Sequence, residues 1–472
     1  MSSGDGLNAV SATSGSWAGR PAGVPGAVPP PSVPLSFMAA AGAGLVACGA
    51  AWVWARGAAA RDPSTDAVIA AVHFGVLATL AMGVLGATHQ FTPVITGRPL
   101  RSLRLARATF VAWLAASWML PLGIGLEQPA VTAASGGFAL AGLALLVWNL
   151  AAPLSVRGKG APVSSLRLAL LGAAATTLLG ATFVGDRQGH WFVLDGHVDL
   201  AMGVLGVFAW LGVTYIGVAQ KLWPMFMLAH LPGRRSSGPV AVWGTWLGSA
   251  VLAGGLAHQT VPAEWAGAGV LAAGLGAHLA SLSAHLAHRR RKADLHLAFL
   301  VTAAAWLVAA AGLALAGALC PPHRAHLAAA LAAAAMTAAG GWLLEALVGH
   351  AHKVIPFIVW SLLRSHGARN GPSGKPLMFA DLYHHGWAAA TYTTVTAGIA
   401  ALCAGLATSS APAIAAGGVL LATTGILATA NLSIRPLRQL AATRTGTGDA
   451  VHSSMGMHSP GHSSATSPTA SS

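Results

Sequence analysis

Apolar runs of about 20 residues or more, each long enough to cross roughly 30 Å of hydrocarbon as a helix, alternate along the chain with short stretches rich in charge, Pro and Gly. They predict twelve membrane helices over 35–55, 66–95, 105–126, 130–154, 165–184, 197–229, 239–258, 265–288, 294–318, 325–363, 382–407 and 411–432. Residues 1–34 and 436–472 are dominated by Gly, Ser, Ala, Pro and Thr, too few bulky apolar groups to bury a core, and are expected to be disordered tails around a membrane domain at 35–435. No cleavable signal peptide is expected, because the first apolar run follows a Pro-rich stretch and leads into further spans.

Composition agrees with this pattern. With 55% apolar and 8% charged residues, the chain cannot cover a water-facing surface of its size, so lipid is the expected solvent. A net charge of +14 raises nucleic acid as a partner, but the basic residues sort by loop. Arg20, Arg98, Arg101, Arg104, Arg107, Arg157, Lys159, Arg167, Arg234, Arg235, Arg289, Arg290, Arg291, Lys292, Arg364, Arg369, Lys375, Arg435, Arg438 and Arg444 all fall on one side of a twelve-helix topology. Only Arg56, Arg61, Arg187 and Arg324 fall on the other. By the positive-inside rule both termini are expected in the cytoplasm. The charge is thus topological, and no nucleic-acid partner is implied. Cys48, Cys320 and Cys403 have no metal-binding or disulfide spacing.

The chain repeats itself. Gly86-Ala-Thr-His-Gln-Phe-Thr-Pro93, Gly217-Val-Ala-Gln-Lys-Leu-Trp-Pro224 and Gly349-His-Ala-His-Lys-Val-Ile-Pro356 share one pattern, and their glycines lie 131 and 132 residues apart. Gly and Pro are common in membrane helices for ordinary reasons, but those reasons do not produce a fixed four-helix spacing. The expected fold is therefore all-α and polytopic, three pseudo-repeated four-helix units with helices 2, 6 and 10 equivalent about a central axis.

Twenty histidines against twelve acidic residues is an unusual ratio, and a polar imidazole in a membrane span is a functional candidate. The outer ends of the helices carry His73, His190, His197, His258, His323 and His326. His73, His197 and His326 stand 13, 20 and 23 residues before the repeat glycines, within about 80° of one another on their helices but at depths roughly 10–15 Å apart. More than one centre is implied. A second set, His278, His285, His288, His296, His384, His385, His89, His350 and His352, adjoins the basic loops and is read as structural or interfacial. Asp199 and Glu345 fall inside expected spans, where acids relay protons or pair with cations. For Glu345, Lys353 and His352 two turns away offer such a pair. The terminal Met455, Met457, His452, His458 and His462 suit copper by donor type, though a flexible tail explains them as well.

Twelve helices in three arcs with histidines at the outer ends of helices 2, 6, 7 and 10 resemble the large subunit of the haem-copper oxidase and nitric oxide reductase superfamily, and also the NnrS-type haem-copper membrane proteins. Helix 10, from His323 and His326 through Gly349 to Pro356, looks like the corresponding helix of cbb-type oxidases. The resemblance implies that His73 and His326 ligate a low-spin haem of b-type or a related kind and that His323 holds a high-spin haem. It implies further that His197 and His258 bind copper or non-haem iron, with His190 as an alternative ligand. Electron transfer with reduction of oxygen or nitric oxide, proton relay through Glu345 and Asp199, and partner cytochrome or other respiratory subunits would follow. The chain departs from the family in having His323-Arg-Ala-His326 in place of His-x-His and His258-Gln259 in place of a histidine pair, which fits a divergent relative. The alternatives are a non-catalytic haem, copper or nitric-oxide-response membrane protein, and a secondary transporter, a class in which Gly- and Pro-broken repeats also occur.

Overall fold

The structure is a computed structural model that describes residues 28–158, 160–189, 194, 196–231, 237–368, 370 and 375–455. Among these, twelve helices are long and apolar enough to cross a membrane: α1 (Ser32–Arg61), α2 (Asp66–Thr96), α3 (Leu103–Gly125), α4 (Pro129–Leu154), α5 (Gly160–Arg187), α6 (Gly196–Met227), α7 (Gly238–Ala257), α8 (Val261–Ala287), α9 (Leu295–Ala318), α10 (Pro322–Ser365), α11 (His385–Ala407) and α12 (Ala411–Ala441). Each coincides with one apolar run of the sequence. The protein is an all-α polytopic membrane protein. The chain stays helical from Ala411 to Met455, past the expected domain edge at 435, with Pro436 inside the helix. His458 and His462 lie outside the described residues, as does most of the expected N-terminal tail.

The three units pack alike. Within each, the first helix lies on the second and the third on the fourth: α1 on α2, α5 on α6 and α9 on α10, then α3 on α4, α7 on α8 and α11 on α12. Contacts of α4 with α5 and of α1 with α12 join neighbouring units. Helices α2, α6 and α10 touch one another at the centre. Helices α2 and α6 are the most deeply buried of the twelve, as expected for helices that are apolar on every side.

The repeat glycine sits at a close approach between the first two helices of each unit. A Cβ at Gly86 would stand 2.7 Å from Phe37 Cβ of α1, and one at Gly349 would stand 2.5 Å from Phe299 Cβ of α9. At Gly217 it would run into Ser165 of α5. Small residues at such crossings let membrane helices gain dispersion contacts that lipid cannot supply. Four residues beyond the repeat proline, the backbone turns left-handed at Gly97 (φ 71°) and Leu228 (φ 51°), and each amide donates to the proline carbonyl. That conformation costs an L-residue roughly 1–2 kcal/mol, so Leu228→Gly is expected to raise the unfolding midpoint in detergent. In the third unit α10 continues through Pro356 to Ser365.

Two further repeat features have no obvious sequence signal. Helices α2 and α6 each contain an eight-residue π-helical segment, Phe74–Ala81 and Leu205–Gly212. Both begin twelve residues before the repeat glycine. The second feature is an asparagine bracket. Asn149 on α4 accepts from the Ser102 amide (3.0 Å) before α3, and Asn431 on α12 accepts from the His384 amide (2.7 Å) before α11 and donates to the His384 carbonyl (3.1 Å). Both amide bonds span 47 residues. Asn149 and Asn431 are buried, and leaving their backbone partners unsatisfied costs about 1–3 kcal/mol. Asn431→Leu and Asn149→Leu should each lower the unfolding midpoint, which a thermal-shift series will check.

Candidate functional site

The two ends of the bundle differ in what they do with their histidines. At the end with few basic residues, His73 on α2 is half-buried and its Nδ1 lies 2.7 Å from the Ile69 carbonyl. It is within electrostatic reach of Asp199 and Arg187, and Arg187 pairs with Asp66 at 2.7 Å. His197, His258, His323 and His326 are exposed, and His326 is in electrostatic reach of Asp62. There Ser64 donates to Asp62 from its hydroxyl and its amide, holding that carboxyl below its usual range. Asp199, expected within a span, is exposed in the first turn of α6, a position where an acid complements the helix dipole. His190 lies outside the described residues. The ligands implied for a low-spin haem are therefore not gathered into a buried pair.

At the basic end the situation is reversed. Of the set read from the sequence as structural or interfacial, His89, His278, His285, His296, His350 and His352 are buried, whereas His288, His384 and His385 are exposed. His278 and His285 come from α8, His296 from the first turn of α9, and His350 and His352 from α10. Helix α6 supplies the rings between them. The Trp223 ring centre is 4.9 Å from that of His278 and 5.9 Å from that of His285. Tyr215 is 5.4 Å from His278 and 5.7 Å from His350, and Phe226 is 5.3 Å from His296. His296 and His350 meet directly at 5.0 Å with their planes 82° apart. The rings of four helices thus form one connected cluster.

Hydrogen bonding orients these imidazoles. In His89, His285, His350 and His352, Nδ1 lies 2.7–2.8 Å from the carbonyl one turn earlier, at Leu85, Ser281, Ala346 and Val348. A carbonyl only accepts, so Nδ1 carries the proton and Nε2 keeps its lone pair, the arrangement found in metal-ligating histidines. Nε2 of His89, His296, His350 and His352 and Nδ1 of His278 are buried without a hydrogen-bond partner. His89 and His352 occupy the same repeat position, and each stacks on the aromatic ring that packs against its glycine: His89 on Phe37 at 5.2 Å and His352 on Phe299 at 5.8 Å. That shared offset was a signal available in the sequence. The covering rings of α6 were not.

The geometry limits what the cluster can hold. Metal–imidazole bonds are about 2 Å long, so two imidazoles on opposite sides of one iron have ring centres roughly 6 Å apart. The 5.0 Å between His296 and His350 suits two ligands at a bent angle on one ion. Among the described residues, no group of three or more His, Cys, Asp or Glu side chains is arranged to hold a metal, so such an ion would draw further ligands from outside that set. Nearby charge is settled locally: Lys353 pairs with Asp294 at 2.5 Å, Arg291 lies 4.0 Å from the same carboxylate, and Asp294 caps α9 by accepting from the Leu297 amide. The alternative pairing of Lys353 with Glu345 is not formed.

No family model matches the chain, and no curated protein matches its sequence.

Proposed function

We propose that this chain is a membrane redox protein whose buried histidines at the basic end hold a transition-metal centre, with that end facing the cytoplasm of a bacterial inner membrane. One observation carries the reading: five buried imidazole nitrogens without partners. Each unsatisfied buried polar atom costs about 1–3 kcal/mol, and five together approach the whole stability of a typical domain. A metal held by His296 and His350 would remove the share of that cost carried by their two Nε2 atoms. Imidazole is a ligand for copper and for haem iron, and the tautomers at His89, His350 and His352 already present Nε2. His296 and His350, with ring centres 5.0 Å apart, suit a single ion such as copper or non-haem iron.

When bound, such a centre supplies one-electron chemistry, tuned by its apolar surroundings. The protein's own part is to fix the imidazoles through the carbonyls of Leu85, Ala346 and Val348 and to exclude water with Tyr215, Trp223 and Phe226. Electron transfer, with reduction of oxygen or nitric oxide, is the reaction class such a centre would serve, with a cytochrome or other respiratory subunit as donor.

The test is a reduced-minus-oxidised absorption spectrum of the purified protein together with its iron and copper content. A Soret and α band, or stoichiometric copper or iron, lost in His350→Ala and retained in His326→Ala supports the proposal. Loss in His73→Ala or His326→Ala alone would move the centre to the opposite end, and a well-folded preparation with neither haem nor metal sinks the reading. If a centre is present, oxygen and nitric oxide consumption separates an enzyme from a carrier.

A further inference from the structure

Glu345 sits in the membrane-spanning part of α10 with no exposed surface. Its Oε1 accepts from the Thr396 hydroxyl of α11 at 2.9 Å, while Oε2 is buried without a partner. The Trp306 indole of α9 approaches the carboxyl without a well-formed hydrogen bond. The adjoining hydroxyls are Tyr392 on α11 and Thr302 on α9, bonded to one another at 2.8 Å. Tyr392 is one turn before Thr396, and Thr302 is one turn before Trp306, so the pair lies on the faces of α11 and α9 that meet the carboxyl. The nearest lysine along α10, Lys353, is engaged with Asp294.

An isolated carboxylate charge in hydrocarbon, with no cation against it, is among the costliest groups a membrane helix can carry. A neutral acid accepting one hydrogen bond from Thr396 and directing an O–H toward its neighbours removes the charge. We propose that Glu345 is a proton-binding site loaded through the Tyr392–Thr302 hydroxyl pair. Loading forms an O–H bond at Oε2 as the O–H of a bridging water breaks; that water takes a proton from the hydroxyl pair, which takes one in turn from a hydronium ion at its far side, and release reverses the sequence. No electron moves. Along α11 one helical turn, a rise of about 5–6 Å, separates Tyr392 from the Thr396 that binds the carboxyl, a span that one bridging water closes. The site is formed by α9, α10 and α11 and does not depend on the metal centre proposed above.

Infrared difference spectroscopy of the purified full chain tests this whether or not a metal is bound. The expected result is a carboxylic-acid C=O band that is absent in Glu345→Gln, shifts in Thr396→Val through loss of its hydrogen bond, and moves on transfer to D2O. In Tyr392→Phe the band should persist while its deuterium exchange slows about tenfold, the effect of a modest added barrier on one step. Should Glu345→Gln fail to fold, the Thr396→Val shift still assigns the band. Absence of any acid band sensitive to these substitutions overturns the proposal, as does a band that never exchanges. An unchanged exchange rate in Tyr392→Phe overturns the loading route.

Discussion

Gly349→Leu and Gly217→Leu are expected to abolish accumulation of folded protein, whereas leucine at Gly137 or Gly276, where an added Cβ meets nothing within 4 Å, should be tolerated. At Gly349 the added Cβ alone comes within 2.5 Å of Phe299 Cβ. That contact lies at the root of the phenylalanine side chain and does not clear by a rotamer change. The helices α9 and α10 must separate, and their separation disturbs His296, His350 and His352 together. Ordinary overpacking costs about 1–3 kcal/mol. Here a buried helix crossing is lost as well, and native proteins hold only about 5–15 kcal/mol in reserve. The single-methyl substitution Gly349→Ala gives the sharper measurement. It should be strongly destabilising alone and largely rescued by Phe299→Gly, which removes the Cβ that the new methyl strikes. In the second unit Gly217→Ala should likewise be rescued by Ser165→Gly. If neither double variant recovers stability, close approach of the paired helices is not what the repeated glycine is for. Monodispersity in detergent and the thermal unfolding midpoint read all of these.

The repeat glycine and proline were legible in the sequence because each acts through its own backbone: glycine by the Cβ it lacks and proline by the helix end it governs. The Asn149 and Asn431 brackets were not, since their partners lie 47 residues away and an asparagine in a membrane span reads alike whether it caps a neighbour or lines a channel. The π-helical segments Phe74–Ala81 and Leu205–Gly212 lie in helices that meet at the centre, and local composition does not report them. The histidines illustrate the same limit. Depth in a span was readable, and it placed His323, His326, His197 and His258 at one end and His278, His285 and His296 at the other. Burial was not readable, because it is decided by which neighbouring helix covers a given turn. Helix α6 covers part of the basic end with Tyr215, Trp223 and Phe226, so His278, His285, His296 and His350 are enclosed, while His288 beside Arg289 stays exposed. At the opposite end His323, in the opening 3₁₀ turn of α10, stays exposed.

Substituting His350 or His296 by leucine should separate stability from cofactor content in opposite directions. In protein stripped of metal, each imidazole keeps a buried Nε2 without a partner. An apolar side chain of similar size removes that unsatisfied atom, and the gain is about 1 kcal/mol or more. The bond from Nδ1 of His350 to the Ala346 carbonyl is a minor loss, since that carbonyl also receives the helical amide one turn on. Metal-free His350→Leu and His296→Leu are therefore expected to unfold at higher temperature than metal-free wild type. The order reverses once the centre is loaded, because a ligand bound only by the folded state stabilises it in proportion to its affinity, and the variants have lost half of the bent pair. A histidine retained purely for packing against Phe226 and Tyr215 behaves otherwise: its replacement lowers the midpoint in both forms and leaves metal content unchanged. Buried imidazoles that weaken the empty protein are retained for what they bind, and a crossing of the two stability series on metal addition is the signature that distinguishes them from core residues.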